Sequence, residues 1–184
     1  MHMSQWLAVG AGVALSAACG LRAFLPLLVL GIAARSGRVH LSSNVEWLAS
    51  DMALIALGVA TVLELAADKV PVLDHALDAI GLVLRPAAAW LATYALLVHW
   101  PTPWGQVVAL VLALIALAIQ GAKAKVRLGS TALTLGTANP LVSIVEDVLS
   151  LGMAAAALVV PLLALAAALL LAVVLARRPR VPST

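Results

Sequence analysis

Val107-Val108-Ala109-Leu110-Val111-Leu112-Ala113-Leu114-Ile115-Ala116-Leu117-Ala118-Ile119 contains no polar side chain, and Leu162 to Ala176 is apolar throughout in the same way. A bilayer hydrocarbon core of about 30 Å takes roughly 20 mostly apolar helical residues. Gly105 to Gly121 therefore reads as one span around the first run. The whole chain of 184 residues is 64% hydrophobic and only 10% charged, against roughly 25% charged in soluble domains. So few charges cannot cover a surface facing water, whereas a surface facing lipid needs none. Ala and Leu dominate with no period-2 alternation, which favours helices over a β-barrel. The expected fold is all-α: a single domain over residues 1–184, forming a polytopic transmembrane bundle of five to seven membrane helices, some short or broken.

The net charge of +3 is small, and the basic residues sit in short clusters between apolar runs. That is a topology signal and not a nucleic-acid footprint, so no nucleic-acid partner is expected. The lone Cys19 excludes an internal disulfide and a Cys-based metal cluster, and no cofactor is expected. Met1-His2-Met3 reads as a cloning scar ahead of a natural start at Met3. Ser16-Ala17-Ala18-Cys19 faintly resembles a lipoprotein cleavage site, but it lacks a basic n-region and apolar sequence continues beyond it. It reads as membrane helix.

Trp6 to Ala34 is apolar except for Arg22, too long for one span and too short for two. Gly20, Arg22 and Pro26 near its middle predict a kinked or broken helix. Arg35 to Asn44 is a polar loop, and Ser43-Asn44-Val45-Glu46 reads as a capping box opening a helix that runs to about Ala67. Pro71 starts or ends a helix, Val72 to Leu84 is a short helical stretch, and Arg85-Pro86 breaks it. Trp100-Pro101-Thr102-Pro103-Trp104 is an uncharged turn between interfacial tryptophans. A basic polar segment, Lys123 to Asn139, follows the Gly105–Gly121 span. Pro140 restarts a helix, and Pro161 interrupts the last apolar run.

The positive-inside rule puts the basic tail (Arg177, Arg178, Arg180), the Arg35/Arg38 loop and the Lys123/Lys125/Arg127 segment in the cytoplasm and the Trp-Pro turn outside. The expected location is a bacterial inner membrane, crossed several times, with a cytoplasmic C-terminus. Pro71-x-x-Asp74-x-x-x-Asp78 aligns with Pro140-x-x-Ser143-x-x-x-Asp147. This suggests an inverted-topology repeat with halves 46–100 and 105–177 and residues 5–35 as an added N-terminal helix. Such repeats place binding sites at broken helices near the midplane. Chance coincidence in an Ala/Leu-rich chain is the competing explanation.

Ionisable groups inside spans cost roughly 2.5–3.5 kcal/mol each on insertion scales, and persist when paired, hydrated or functional. The densest set is Glu64, Asp68, Lys69, Asp74, Asp78 and Arg85. On a helix Glu64 and Asp68 share a face, as do Asp74 and Asp78. Two carboxylates one turn apart can hold one cation or share one proton, which makes Asp74 and Asp78 the candidate metal ligands. Local ion pairs of Asp68 with Lys69 and of Asp78 with Arg85 in a solvated loop are the alternative. The second set is Asn139, Ser143, Glu146 and Asp147; here helix capping through Ser143-x-x-Glu146 competes with a functional half-site. Arg22 can pair with a carboxylate from either set, hold an anionic lipid headgroup, or snorkel from a broken helix. Lys123, Lys125 and Arg127 read first as a surface for anionic lipid headgroups. His75 and His99 read as surface and interfacial histidines.

Gly20-Leu21-Arg22-Ala23-Phe24-Leu25-Pro26, Glu64-Leu65-Ala66-Ala67-Asp68-Lys69-Val70-Pro71-Val72-Leu73-Asp74, Arg85-Pro86 and Thr137-Ala138-Asn139-Pro140-Leu141-Val142-Ser143-Ile144-Val145-Glu146-Asp147 together resemble the bacterial and plastid membrane proteins grouped as domain of unknown function 4126. The resemblance covers nearly the whole chain. It implies membership and carries no activity. Glu64 to Lys69 is also similar to the Glu-x-Gly-Asp-Lys-Thr/Ser motif of the calcium and manganese cation/proton exchangers. One extra residue separates the acids here, the glycine is absent, and Val70 replaces the hydroxyl residue.

Four readings follow. The leading one is a small cation- or proton-coupled secondary transporter using Glu64, Asp68, Asp74 and Asp78, with Asn139, Ser143 and Asp147 as an opposing half-site. The second is a flippase or binder for an anionic lipid carrier, with Arg22, Arg85 and the Lys123/Lys125/Arg127 cluster on its phosphate. The third is an intramembrane lipid enzyme. Asp74-x-x-x-Asp78 resembles the last acidic pair of metal-dependent lipid phosphotransferases, but the upstream part of that signature is absent and enzymatic activity is not expected. The fourth is a non-transporting scaffold, because small-residue faces at Ala154–Ala157 and Ala164–Ala168 suit close packing within the chain or in a homo-oligomer. Membrane lipids are partners in every case.

Overall fold

The computed structural model of the protein describes residues 5–68, 71–101, 103–134 and 139–176. Lys69, the basic tail from Arg177, and the side chains of Asp74, Asp78 and Asn139 lie outside the described residues. Among the described residues there are seven α-helices, one 3-10 helix and no strand. The expected helical membrane bundle is what the chain forms.

The first apolar run is broken, as its composition predicts. Helix α1 (Gln5–Leu21) and helix α2 (Phe24–Arg35) part at Arg22-Ala23. The Arg22 N–H still closes the last turn of α1 on the Ala18 carbonyl (3.0 Å). Pro26, in the first turn of α2, has no N–H to return to the Arg22 carbonyl, so the helix cannot run on through this point. The chain then reverses. Ala8, early in α1, packs with Leu97. Ser42, just beyond α2, donates its N–H to the Ala95 carbonyl (3.0 Å). The start of α1 and the end of α2 therefore share one end of the bundle, and Arg22-Ala23 is the apex of a helical hairpin. Gly37, at φ +73°, ends α2 in the left-handed conformation that suits a helix C-terminus.

The expected capping box at Ser43 does not open a helix of the α kind. Ser43–Ala49 is a 3-10 helix. Helix α3 (Asp51–Ala67) starts after it, capped by Ser50, whose Oγ accepts from the Ala53 N–H at 3.2 Å. The two meet at 65°. Helix α3 runs antiparallel to α2: Arg35 pairs with Asp51 at one end (2.7 Å), and Glu64 reaches the first residues of α2 at the other. Helix α4 (Pro71–Leu96) carries Pro86 in its interior. The expected break at Arg85-Pro86 is thus absent. Proline is tolerated inside membrane helices where packing against neighbouring helices and local adjustment accommodate the carbonyl it leaves free. Helix α5 (Trp104–Thr134) is 31 residues long, about 46 Å at 1.5 Å per residue, so most of the expected polar segment after Gly121 is helix. Helices α6 (Asn139–Val159) and α7 (Pro161–Ala176) part at Pro161, as the sequence indicates.

The positive-inside reading separates the Arg35/Arg38 loop from the Trp-Pro turn, and the structure does not. Arg38 and His40 line a cavity together with Val98 and His99, so both segments lie at one end. The cause is the pair α3 and α4: α3 runs from Arg35 to the apex and α4 returns to Ser42, an even number of traverses where the charge pattern requires an odd one.

Among the described residues three helices are long and apolar enough to cross a membrane, or four if the bent 3-10/α3 pair counts as one. Their surfaces are inverted relative to a soluble protein. Met52, Ile55, Val62, Leu110, Leu114, Val148 and Leu170 are exposed, while Arg22, Arg85, Lys123 and Arg127 are buried. Alanines fill the centre, among them Ala14, Ala17 and Ala18 of α1, Ala89 and Ala92 of α4, and Ala113 and Ala116 of α5. Small residues let membrane helices approach closely where no hydrophobic drive separates helix from lipid. Ala154, Ala157, Ala164 and Ala168 belong to this same core, so those small-residue faces are packed within the chain. The approach is close at Gly20. A Cβ there would sit 2.7 Å from the Ile119 Cβ and 2.8 Å from the Ala116 carbonyl oxygen.

Gly20→Ala should therefore lower stability by about 1–3 kcal/mol through overpacking against a backbone that cannot yield. Gly58→Ala, with open space around the new methyl, should be neutral or stabilising by up to about 1 kcal/mol. Thermal unfolding of the two variants in detergent distinguishes these outcomes.

Candidate functional site

The break at Arg22-Ala23 leaves unpaired carbonyls at the end of α1 and unpaired amides at the start of α2. Charged side chains from other helices meet both. Arg85 Nη1 of α4 donates to the Gly20 carbonyl at 3.5 Å. Lys123 Nζ of α5 donates to the Leu21 carbonyl at 3.4 Å, and Ser150 Oγ of α6 to the Ala18 carbonyl at 3.0 Å. On the other side of the break, the Glu64 carboxylate accepts from the Ala23 N–H (2.9 Å) and the Phe24 N–H (3.2 Å). Each charge matches the sign of the helix end it meets: cations at the C-terminus of α1, an anion at the N-terminus of α2.

Beside the break lies a denser set of contacts. Asp68, at the end of α3, presents Oδ2 to Arg22 Nη2 (2.6 Å), to Arg127 Nη2 (2.6 Å) and to the Ser143 hydroxyl (2.8 Å). Ser143 Oγ in turn accepts from Arg22 Nη2 at 2.8 Å. Arg22 also pairs with Asp147 at 2.5 Å. Glu146 Oε2 accepts from Lys123 (2.9 Å) and Arg127 (2.9 Å). Among the described residues, Arg22, Arg85, Lys123 and Arg127 thus gather around Glu64, Asp68, Glu146 and Asp147. Four positive charges face four negative ones, drawn from α3, α4, α5, α6 and the α1–α2 apex.

All but Asp147 of these charged residues are buried. Desolvating charges is costly, and mutual attraction offsets it only when the geometry is good and the remaining atoms are bonded. Here the bonding is incomplete: Arg22 Nε and Nη1 and Asp68 Oδ1 are buried with no hydrogen-bond partner among the described residues. A cluster of this kind is a poor way to stabilise a bundle, since apolar residues of equal volume would serve as well or better.

The structure brings the two acidic sets of the sequence into one site. Glu64, Asp68 and Arg85 from the first half meet Ser143, Glu146 and Asp147 from the second, and Arg22 joins them. The solvated-loop pairing of Asp68 with Lys69, and the Asp74/Asp78 pair as metal ligands, fall on side chains outside the described residues. Among the described residues no group of three or more His, Cys, Asp or Glu is placed to hold a metal ion. Ser143 lies inside α6 and bonds Arg22 and Asp68, which corrects its reading as a cap; the helix begins four residues earlier, at Asn139. Lys123 and Arg127 are buried and paired, which corrects their assignment to the headgroup surface; Lys125 is exposed. The signal for this was in the spacing, because Lys123 and Arg127 are four apart and share a face that Lys125 does not. Gln120 and Ser150, both buried beside the site, carry no signal in the sequence beyond lying one turn from charged residues.

Removing Asp68 leaves Arg22 and Arg127 short of a counter-charge in a buried site. Asp68→Ala should cost about 3–5 kcal/mol. Lys125→Ala, on the exposed side of the same helix, should stay within about 0.5 kcal/mol of the parent. Equilibrium unfolding of both variants in mixed micelles checks the contrast.

Over residues 9–180 the chain matches the family described as domain of unknown function 4126. No curated protein and no solved structure gives a significant match, and the exchangers for calcium and manganese are thus not among the proteins it matches. Arg22, Ala23, Glu64, Asp68, Ser143, Glu146 and Asp147, which build the apex and its ion cluster, all fall within the matched region. Since the match takes in nearly the whole chain, the protein belongs to the domain of unknown function 4126 family.

Proposed function

We propose that the protein is a small proton-coupled secondary transporter whose working part is the ion cluster at the α1–α2 apex. The observation that carries this is a cluster of eight charged groups, seven of them buried, around a helix break, with Asp68 shared between Arg22 and Arg127. Intramembrane charges are expensive and are as a rule kept for function, and transporters place their sites at broken helices. Asp68 is the proton carrier in this reading. In its charged form it holds Arg22 at the apex and Arg127 on α5. Protonation removes the counter-charge that the two share and leaves Arg22 on Asp147 and Arg127 on Glu146, so that the tie between the apex and α5 through Asp68 is loosened while Glu64 still caps α2. The cluster gains a net positive charge in that step, which couples proton uptake to the exit of a cation or the entry of an anion. Asp74 and Asp78, one turn apart on the α4 segment that leads up to Arg85, remain candidates for the cation.

A second reading keeps the site and changes the cargo to an anionic lipid carrier. What favours it is Arg22, whose Nε and Nη1 are buried and unpartnered beside Arg85 and Lys123. A guanidinium with spare donors is the group that holds phosphate oxygens in pairs.

Flux into proteoliposomes loaded with a pH dye and a divalent-metal dye, against a panel of cation gradients, tests the first reading. Proton movement driven by a cation gradient is expected, abolished in Asp68→Asn and retained in Lys125→Ala, both eluting as folded protein. No proton or cation movement by folded parent, or undiminished flux in Asp68→Asn, overturns it. A phosphate-bearing lipid that copurifies with the parent and is lost in Arg22→Ala or Arg85→Ala moves the assignment to the second reading.

A further inference from the structure

The end of the bundle opposite the ion cluster holds a feature that the transport reading does not use. A cavity of about 390 Å³ opens there between the loop after α2, the end of α4 and the α6–α7 junction. That volume lies within the roughly 300–1,000 Å³ of ligand pockets. Its lining is divided by chemistry. Leu7, Leu96, Leu158 and Val159 form apolar walls, while Arg38, His40 and His99 bring basic groups. Among the described residues no carboxylate lines it. Glu46 lines a separate cavity that shares His40.

Three tryptophans fix the depth of this end in the bilayer. Trp6 in the first turn of α1, Trp47 in the 3-10 helix and Trp104 in the first turn of α5 are all exposed, and all belong to the end that holds the cavity. Exposed tryptophans collect at the headgroup level of a membrane. The basic side chains of the cavity therefore stand where lipid headgroups lie, and its apolar walls are continuous with the hydrocarbon side.

We infer that this cavity binds one anionic phospholipid of the surrounding bilayer, with the phosphate at Arg38, His40 and His99 and an acyl chain against Leu158 and Val159. An apolar slot with a cationic rim and no acidic lining complements an amphiphile whose head is negative. A zwitterionic lipid brings a second, positive charge to the same rim and is disfavoured. This site is separate from the Arg22 cluster by nearly the full length of α1, so its occupancy does not depend on how that cluster works.

The test is native mass spectrometry of the full chain released from nanodiscs that contain equal amounts of phosphatidylglycerol and phosphatidylcholine. The expected spectrum shows one retained phosphatidylglycerol. The double variant Arg38→Ala/His40→Ala should reduce that species about tenfold, the worth of one charge-assisted phosphate contact. Lys125→Ala, which removes an exposed positive charge elsewhere, should retain it. Equal retention of the two lipids, equal loss in Lys125→Ala, or displacement of the lipid by millimolar inorganic phosphate would each overturn the inference. Loss in Arg22→Ala with retention in Arg38→Ala/His40→Ala would place the lipid at the ion cluster instead.

Discussion

A helix that breaks inside an apolar bundle exposes backbone carbonyls and amides that lipid cannot satisfy. The break between α1 and α2 meets this constraint with charge. Arg85 and Lys123 take the carbonyls of Gly20 and Leu21, and Glu64 takes the amides of Ala23 and Phe24. Once those charges are buried they need partners of their own, and Asp68, Glu146, Asp147, Arg22 and Arg127 supply them. The helices that carry these groups are thereby fixed in register around one point. Alanine is the commonest residue in the rest of the core, among leucines such as Leu15, Leu30 and Leu48, and small residues let the helices approach closely.

The same arrangement explains why the cluster reads as functional. In transporters with broken helices, the half-helix ends bind substrate and coupling ions. Here the chain's own side chains occupy those ends. Asp68 holds two guanidinium groups through a single oxygen while its other oxygen has no partner among the described residues. Small changes in its charge state therefore alter contacts to α5 and to the apex together. A purely structural centre would have no need of charges whose desolvation offsets most of what their pairing contributes.

The two ends of the bundle differ in kind. One holds the ion cluster, from which α4 and α5 extend further. The other holds the exposed tryptophans, the short loops and the cavity rimmed by Arg38, His40 and His99. Helix α2, only 12 residues long, is what joins them. It carries the chain from the apex back to the tryptophan end and positions both the N-terminus that Glu64 caps and the loop that bears Arg38.

The sequence by itself determined the class of the protein, because apolar spans such as Gly105–Gly121 and a chain with only 10% charged residues fit a helical membrane bundle. It determined the break near Arg22, since proline cannot complete the turn behind it. It also singled out Arg22, Glu64, Asp68, Glu146 and Asp147, since an ionisable group is costly wherever it sits within a span, but it put Lys123 and Arg127 at the headgroup surface. Tertiary structure alone decided how they meet. Periodicity within one helix shows that Glu64 and Asp68 share a face, but it cannot show that Arg127, 59 positions away, reaches Asp68. Local rules misled where packing outweighed them. Pro86 sits within an unbroken helix, Ser143 bonds Arg22 instead of capping α6, and the outward and return runs of α3 and α4 place the Arg38 loop beside the Trp-Pro turn. In each case the deciding energy comes from contacts between segments remote in sequence, and no single window of residues contains them.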